Sequence, residues 1–377
     1  MLAYNAAMQS YDVLVRGNGC VGRSLALALG AQGLRVALLG TAEVSPKQRE
    51  DVRTYALNAA SVRLLRELKV WESLPADAIS PVYDMKVSGD RPGSMLEFSA
   101  WQQGVSELAF IVDAAALELQ LATALRFSPH VHVVDEPVPA ALTALCEGRD
   151  SAERAALGVR FESQPYGHQA LAARLTADQP HQGVARQWFR SPDVLALLPF
   201  ERPLPAVSYG LVWSLPEARA AELLAAPVEE FEAALNEASG GAAGHLRLAG
   251  QRACWPLALA RATPLVGPGW VLLGDAAHLV HPLAGQGLNL GLADVAALAE
   301  VLSQRESWRP LADERLLRRY VRERQTATWA MGELTDSLLR VFASDAAPLR
   351  ELRNRGISAL NAVAPLKRWL TSRALGA

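Results

Sequence analysis

YDVLVRGNGCVGRSLALALGAQGLRVALL, residues Tyr11–Leu39, sets two apolar, strand-length runs on either side of a glycine-rich turn and a helix-length apolar segment. YDVLV and RVALL read as buried parallel strands, because continuous apolar runs suit a sheet covered on both faces. Gly17, Gly19 and Gly22 stand at the strand-to-helix junction in the spacing Gly-x-Gly-x-x-Gly. The first permits a tight turn, the second lets a pyrophosphate approach the backbone, and the third lets the helix pack on the strand. The helix N-terminus would face the phosphates with free N–H groups and the positive end of its dipole. An acid that holds the ribose hydroxyls is expected about 20 residues further on. Gly40 stands in that place, and Glu43 in the following loop is the nearest acid able to substitute. A charged hydrogen bond contributes roughly 1.5–3 kcal/mol, so its loss weakens a nucleotide's hold without abolishing it.

A second junction of the same kind lies far along the chain. GDAAHLVHPLAGQGLNLG, Gly274–Gly291, follows the strand-like WVLL and leads into LADVAALAEVL, which has helical character. So many glycines are costly in backbone entropy, and such a loop usually exists because something approaches the backbone closely. Two such loops suggest one extended ligand held at two places, with Asp275 accepting hydrogen bonds from its hydroxyls. His278 and His281 have the spacing of a metal pair, but no third ligand fits. Asn289 also reads as a helix-cap residue, and Pro282 as a residue that stiffens the turn.

The rest of the chain reads less sharply. Asp51–Leu68 has the apolar spacing of a helix, with Arg53 near its start, either reaching a phosphate or lying on the surface. Val82–Phe98 and Gln182–Trp213 are strand-rich, Ile111–Leu125 reads as a helix, and Val131–Val134 and Leu142–Gly148 read as strands joined by a short link. Trp188 and Trp213 fit a core or a pocket equally well. Asp313–Phe342 has helical spacing, and the basic, amphipathic segment after it suits an anionic membrane, a partner, or the protein's own core.

The chain has 377 residues and a formal net charge of −2, which gives no global positive field for nucleic acid. Cys20, Cys146 and Cys254 are far apart and odd in number, so a reduced, cytoplasmic setting is expected rather than a disulfide scaffold. No run of apolar residues is long enough to span a bilayer, and the first residues make a poor signal peptide.

GDAAHLVHPLAGQGLNLGLADVAALAEVL resembles the second FAD motif of class A flavoprotein monooxygenases, which share the p-hydroxybenzoate hydroxylase fold. More narrowly it is similar to the ubiquinone-biosynthesis hydroxylase branch. YDVLVRGNGCVG, VRTYALNAASVRLL, PYGHQALAARL, HQGVARQWFRSPDVLALLPF, YGLVWSLPE and LRELRNRGISAL extend the likeness over nearly the whole chain. The resemblance implies an α/β, α+β overall, architecture: a Rossmann-like FAD-binding domain with an inserted sheet-rich substrate domain and a C-terminal helical region. The FAD-binding domain would comprise residues 8–80, 105–150 and 253–312. Substrate-domain strands would come from 81–104 and 151–252, and the helical region from 313–377.

The implied chemistry is hydroxylation of a polyprenylated phenol with O2, by way of a flavin hydroperoxide, with NAD(P)H as electron donor. The cofactor carries the difficult step, in keeping with a chain that has no obvious nucleophile–base triad. By resemblance, Gly17, Gly19 and Gly22 would bind the pyrophosphate, Arg53 would contact the cofactor, and Asp275 would bind the ribityl chain. Pro282, Gly285, Gly287, Leu288 and Asn289 would lie beside the flavin ring. Peripheral contact with the inner face of a membrane and membership of a ubiquinone-biosynthesis complex follow from the same likeness. Three features depart from the family pattern: Gly40, Glu147 in place of the aspartate of an Asp-Gly motif, and a short link between Val134 and Leu142. Gly40 and the short link motivate an alternative, a structural subunit with weak or no FAD binding. A second alternative is a monooxygenase acting on a soluble aromatic acid.

Overall fold

The computed structural model describes residues 11–41, 43–45, 48, 50–89, 95–280 and 286–325. Three sheets organise them. The first has six strands in the order β15-β16-β9-β1-β2-β8. Its members are β1 (Tyr11–Arg16), β2 (Val36–Leu39), β8 (Val131–Val134), β9 (Ala140–Leu145), β15 (Val266–Gly267) and β16 (Trp270–Leu272). β1 pairs in parallel with β2 and with β9, placing Val13 opposite both Val36 and Leu142. The expected βαβ unit is present, with helix α1 spanning Cys20–Ala31.

Helices cover this sheet, as its continuous apolar strands require. Val13, Val15, Val36 and Leu38 share one core with Leu25 and Leu29 of α1 and with Leu117 and Leu121 of α4 (Ala114–Leu125). The same core takes in Val295 and Leu298 of α8 (Gln286–Ser303), and Leu316 and Tyr320 of a helix over 314–325.

The chain passes from β8, at one edge, to β9 through residues 135–139 alone. Parallel strands usually need a crossover of a dozen residues or more. Here the link must cross three strand spacings, roughly 14 Å, and return along the strand length, so it runs extended. Pro137 and Pro139 favour that conformation.

The second sheet has eight strands in the order β17-β14-β10-β13-β12-β11-β5-β6. It comprises β5 (Asp84–Ser88), β6 (Met95–Ser99), β10 (Arg160–Ala177), β11 (Val184–Arg190), β12 (Asp193–Phe200), β13 (Ser208–Pro216), β14 (Leu246–Thr263) and β17 (His278–Leu279). Helices α6 (Glu217–Ala225) and α7 (Val228–Ser239) lie on one face, where Leu223, Phe231 and Leu235 pack on Leu171, Tyr209 and Trp213. Trp188 and Trp213 are both core residues of this layer. Shorter helices α3 (Ala100–Gln103) and α5 (Ala152–Ala156) follow β6 and β9.

The third sheet, β3 (Thr54–Leu57), β7 (Ala109–Asp113) and β4 (Ile79–Val82), corrects two sequence expectations. Asp51–Leu68 is not one helix. Thr54–Leu57 is a strand paired with β7, and helix α2 (Ala59–Glu67) starts only after Asn58, whose side chain accepts from Ser61 N–H. Likewise Ile111–Asp113 belongs to β7, and α4 begins after the Asp113 cap. Apolar spacing alone cannot separate a short strand from the helix that follows it, whereas sheet pairing and a capping side chain do. β3 also meets the large sheet closely: a Cβ placed on Gly210 of β13 would lie 2.3 Å from Thr54 Oγ1.

Candidate cofactor-binding site

The first glycine loop is built by backbone crowding. Gly17 sits at φ +107°, which disfavours a side chain, and a Cβ there would lie 2.3 Å from Cys146 O at the end of β9. A Cβ on Gly22 would lie 1.8 Å from Gly17 O. These two glycines let the turn close on itself and on the neighbouring strand. Gly19 differs. It precedes α1 with an extended backbone and no side-chain cap, and the nearest atom to a Cβ there is Glu118 Oε1, at 3.8 Å.

The second glycine loop meets the first, as the paired junctions suggest. β16 leads into a single 3-10 turn, Gly274–Ala276. Gly274 has φ +58°, and its Cβ position lies 3.2 Å from Val21 Cγ2 on α1. The turn is anchored by Asp294 of α8, a buried carboxylate that accepts from Gly274 N–H at 2.9 Å. His278 Nε2 lies 2.7 Å from Asp294 Oδ2, and Arg324 Nε donates to Oδ1 at 2.7 Å. His278 is thus committed to a structural hub, while His281, the other half of the metal-pair spacing, lies outside the described residues. Tyr320 adds a hydrogen bond to Leu272 O, tying the helix over 314–325 to β16.

Asp275 projects from this turn and makes no hydrogen bond among the described residues. It is open to solvent yet sits deep in a cleft. Burial by the cleft walls raises its pKa, against the opposing pull of His278, Arg149 and Arg53. Gly287, in the first turn of α8, has open space where a Cβ would stand. Leu288 is partly buried against the core. The Asn289 side chain turns inward: its Oδ1 accepts from Asn58 N–H at 3.0 Å and from Ser61 Oγ at 2.7 Å, and its amide donates to Ala56 O at 2.7 Å. It is neither a helix cap nor a side chain free for a ligand. Pro282 and Gly285 lie outside the described residues.

Arg53 reaches the same cleft from the segment before β3. Its guanidinium is paired with Asp51 through Nε at 2.9 Å and NH2 at 2.6 Å, and it stacks over Tyr55 and Trp255. Arg174, on β10, fixes that segment by donating to Val52 O at 2.8 Å and Arg53 O at 3.1 Å, and by pairing with Asp113 at 3.2 Å. The large sheet therefore supplies part of the wall of the loop region.

The departures near the nucleotide end now have geometries. Gly40 has φ +138°, and a Cβ there would lie 2.9 Å from Asn18 Cγ, so the Asn18 side chain fills the place an acid would need. Glu43 is exposed, and its backbone carbonyl accepts from Arg23 and Thr41. Glu147 pairs with Arg16 at 2.9 Å and accepts from Ser151 Oγ at 2.5 Å. Burial alone would raise its pKa, but Ser151 and Arg16 outweigh burial and lower it. Glu118, Asp294, Arg174 and Trp255 escaped the sequence reading. For Glu118 one signal existed: it is the lone acid in the apolar helix AAALELQLATAL.

A glycine-rich strand-to-helix turn, a second glycine turn packed on it and a free carboxylate between them define a nucleotide-cofactor oxidoreductase of mixed α/β build. The chain belongs to the FAD-binding domain family, which matches residues 126–335. It is 32% identical to a ubiquinone hydroxylase of Rhodospirillum rubrum, over 97% of this chain and 89% of that protein. It is 30% identical to the 3-demethoxyubiquinol 3-hydroxylase of Escherichia coli, over 98% of this chain and 99% of the relative. The human mitochondrial ubiquinone biosynthesis monooxygenase is also 30% identical, over 95% and 91% respectively. Among solved structures, PqsL of Pseudomonas aeruginosa, a probable FAD-dependent monooxygenase, superposes with TM-score 0.75 at 21% identity, covering 93% of this chain and 100% of its own. A p-nitrophenol 4-monooxygenase of Pseudomonas putida gives 0.74 at 18% identity, covering 97% and 98%. At these identities the structures speak for the fold.

Proposed function

We propose that this chain is an FAD-dependent monooxygenase that hydroxylates the aromatic ring of a polyprenylated phenol in ubiquinone biosynthesis, with O2 and NAD(P)H as co-substrates. The observation that carries it is Asp275, a carboxylate that makes no hydrogen bond among the described residues, in a cleft where both glycine loops and Arg53 converge. Three relatives, each matched over 89% or more of its own length and named for ubiquinone hydroxylation or biosynthesis, supply the substrate class.

The residues present fit FAD. Asp275 would accept hydrogen bonds from the ribityl hydroxyls, and Gly19, lacking a side chain, would let the diphosphate approach the backbone before α1. Arg53 presents a cation beside it. Backbone N–H groups around Gly287 and Leu288 would face the flavin ring. When bound, FAD supplies oxygen activation with electrons from NAD(P)H. The protein's part is to orient the ring, hold water away from it, and place donors where negative charge collects. Trp255, from the large sheet, lies against the Arg53 guanidinium beside the cleft.

Among the described residues no helix is long and apolar enough to cross a membrane. The polyprenyl tail of the substrate makes peripheral contact with the inner face of a membrane, from the cytoplasm, the reading we favour, together with assembly alongside other enzymes of the pathway. Gly40 and Asn18 favour a second reading, a subunit with weakened FAD binding. An absorbance spectrum of the purified protein, before and after adding FAD, separates the two. Stoichiometric flavin bands, and hydroxylated product from a polyprenylated phenol only when FAD, O2 and NAD(P)H are all present, support the enzyme. A colourless protein that cannot be reconstituted overturns it.

A further inference from the structure

The nucleotide end of the cleft is already balanced in charge. Arg23, fully buried on α1, pairs with Glu118 Oε2 at 3.1 Å and also donates to Glu118 O at 2.9 Å. Arg53 is matched by Asp51, and Arg16 by Glu147 and Glu153. Each of these three arginines therefore already has an acid at its guanidinium. Glu118 does more than neutralise Arg23. Its Oε1 accepts the first N–H of α1, that of Cys20, at 3.0 Å, and the Cys20 thiol donates to the same oxygen at 3.2 Å. That oxygen stands 3.8 Å from where a Cβ on Gly19 would be. The carboxylate thus occupies the position at the α1 N-terminus that suits an anion.

A diphosphate brings negative charge to this point, and two anions cannot share one helix end without a counter-charge. We propose that binding of the FAD diphosphate takes up one proton at Glu118, so that the cofactor is held more tightly as pH falls. This rests on the reading of the cleft as an FAD site. The proton comes from solvent. Neutral Glu118 then donates its O–H to a phosphate oxygen, and the Arg23 guanidinium is left to offset phosphate charge.

The surroundings agree. Burial raises the Glu118 pKa, opposed by Arg23, Cys20 and Arg53. The other titratable groups that face it keep their charge state in the neutral range. Burial pushes the Cys20 thiol and the Tyr55 phenol well up, so both stay protonated, and the arginines of α1 and of the segment before β3 stay charged. In this network Glu43 presents its backbone carbonyl to Arg23.

The test is calorimetric titration of the apoprotein with FAD across about pH 6 to 9, in two buffers of different ionisation heat. Near one proton should be taken up per FAD at the alkaline end, and affinity should fall roughly tenfold per pH unit above the Glu118 titration. Glu118→Gln should bind FAD at least about tenfold more tightly at the alkaline end, with no proton uptake and a flat pH profile. Zero proton uptake by the wild-type protein overturns the proposal, whether or not the variant folds. So does a variant that binds no more tightly. Failure of both proteins to bind FAD at any pH sinks the FAD reading itself, a result distinct from pH-independent binding.

Discussion

Gly291 of α8 faces Val21 of α1 so closely that a Cβ on Gly291 would lie 2.6 Å from Val21 Cγ2. The two glycine loops are locked together through this contact. Gly291→Ala is expected to destabilise the fold by about 1–3 kcal/mol through overpacking. Val21→Ala in the same chain should recover most of the loss. Urea unfolding of the two single variants and the double variant measures the coupling. Additive losses would show that the contact is not what limits the approach of the helices.

Asp294 joins three elements through Gly274, His278 and Arg324. Asp294→Asn keeps the shape but leaves Arg324 without its counter-ion, and a cost of about 3 kcal/mol is expected. The pH dependence follows from the same carboxylate. Burial pushes its pKa up, but His278 and Arg324 outweigh burial and lower it. A lowered carboxyl pKa stabilises the fold above the unfolded value, about 3.9, and that stability is lost as pH falls through the folded value. Stability measured below about pH 4 should therefore drop more steeply for the wild-type protein than for Asp294→Asn.

Asp275→Ala removes the carboxylate of the cleft that makes no hydrogen bond among the described residues. If it holds the ribityl chain, the loss of a charged hydrogen bond worth about 1.5–3 kcal/mol should weaken FAD binding ten- to a hundredfold. Thermal stability of the apoprotein should stay nearly unchanged, because the side chain makes no hydrogen bond among the described residues. Flavin fluorescence quenching gives the affinity, and an unaltered affinity removes Asp275 from the site.

Restoring an acid at position 40 looks like an easy gain from sequence alone. The geometry argues otherwise. Gly40 has φ +138° and its Cβ position collides with the Asn18 side chain, so Gly40→Glu should lower the melting temperature and leave FAD affinity no better. Paired with Asn18→Gly, the steric conflict is relieved and affinity should rise above that of the single variant. Melting curves with and without FAD distinguish the cases.

Much of this protein was legible from local spacing. The apolar strands on either side of the Gly17–Gly22 turn, the second turn at Gly274, the Asp275 carboxylate and the family likeness all lie in short contiguous stretches. The physics behind them is equally local: strand and helix periodicity, and glycines where backbone must crowd. Tertiary structure decided what depends on partners distant in sequence. Thr54–Leu57 became a strand because β7 pairs with it. Asn289 turned inward because Asn58 and Ser61 wait for it across the fold. Glu118 reached the α1 N-terminus from 98 residues away. Such meetings are set by sheet order and helix packing, which bring donors and acceptors together irrespective of their spacing along the chain.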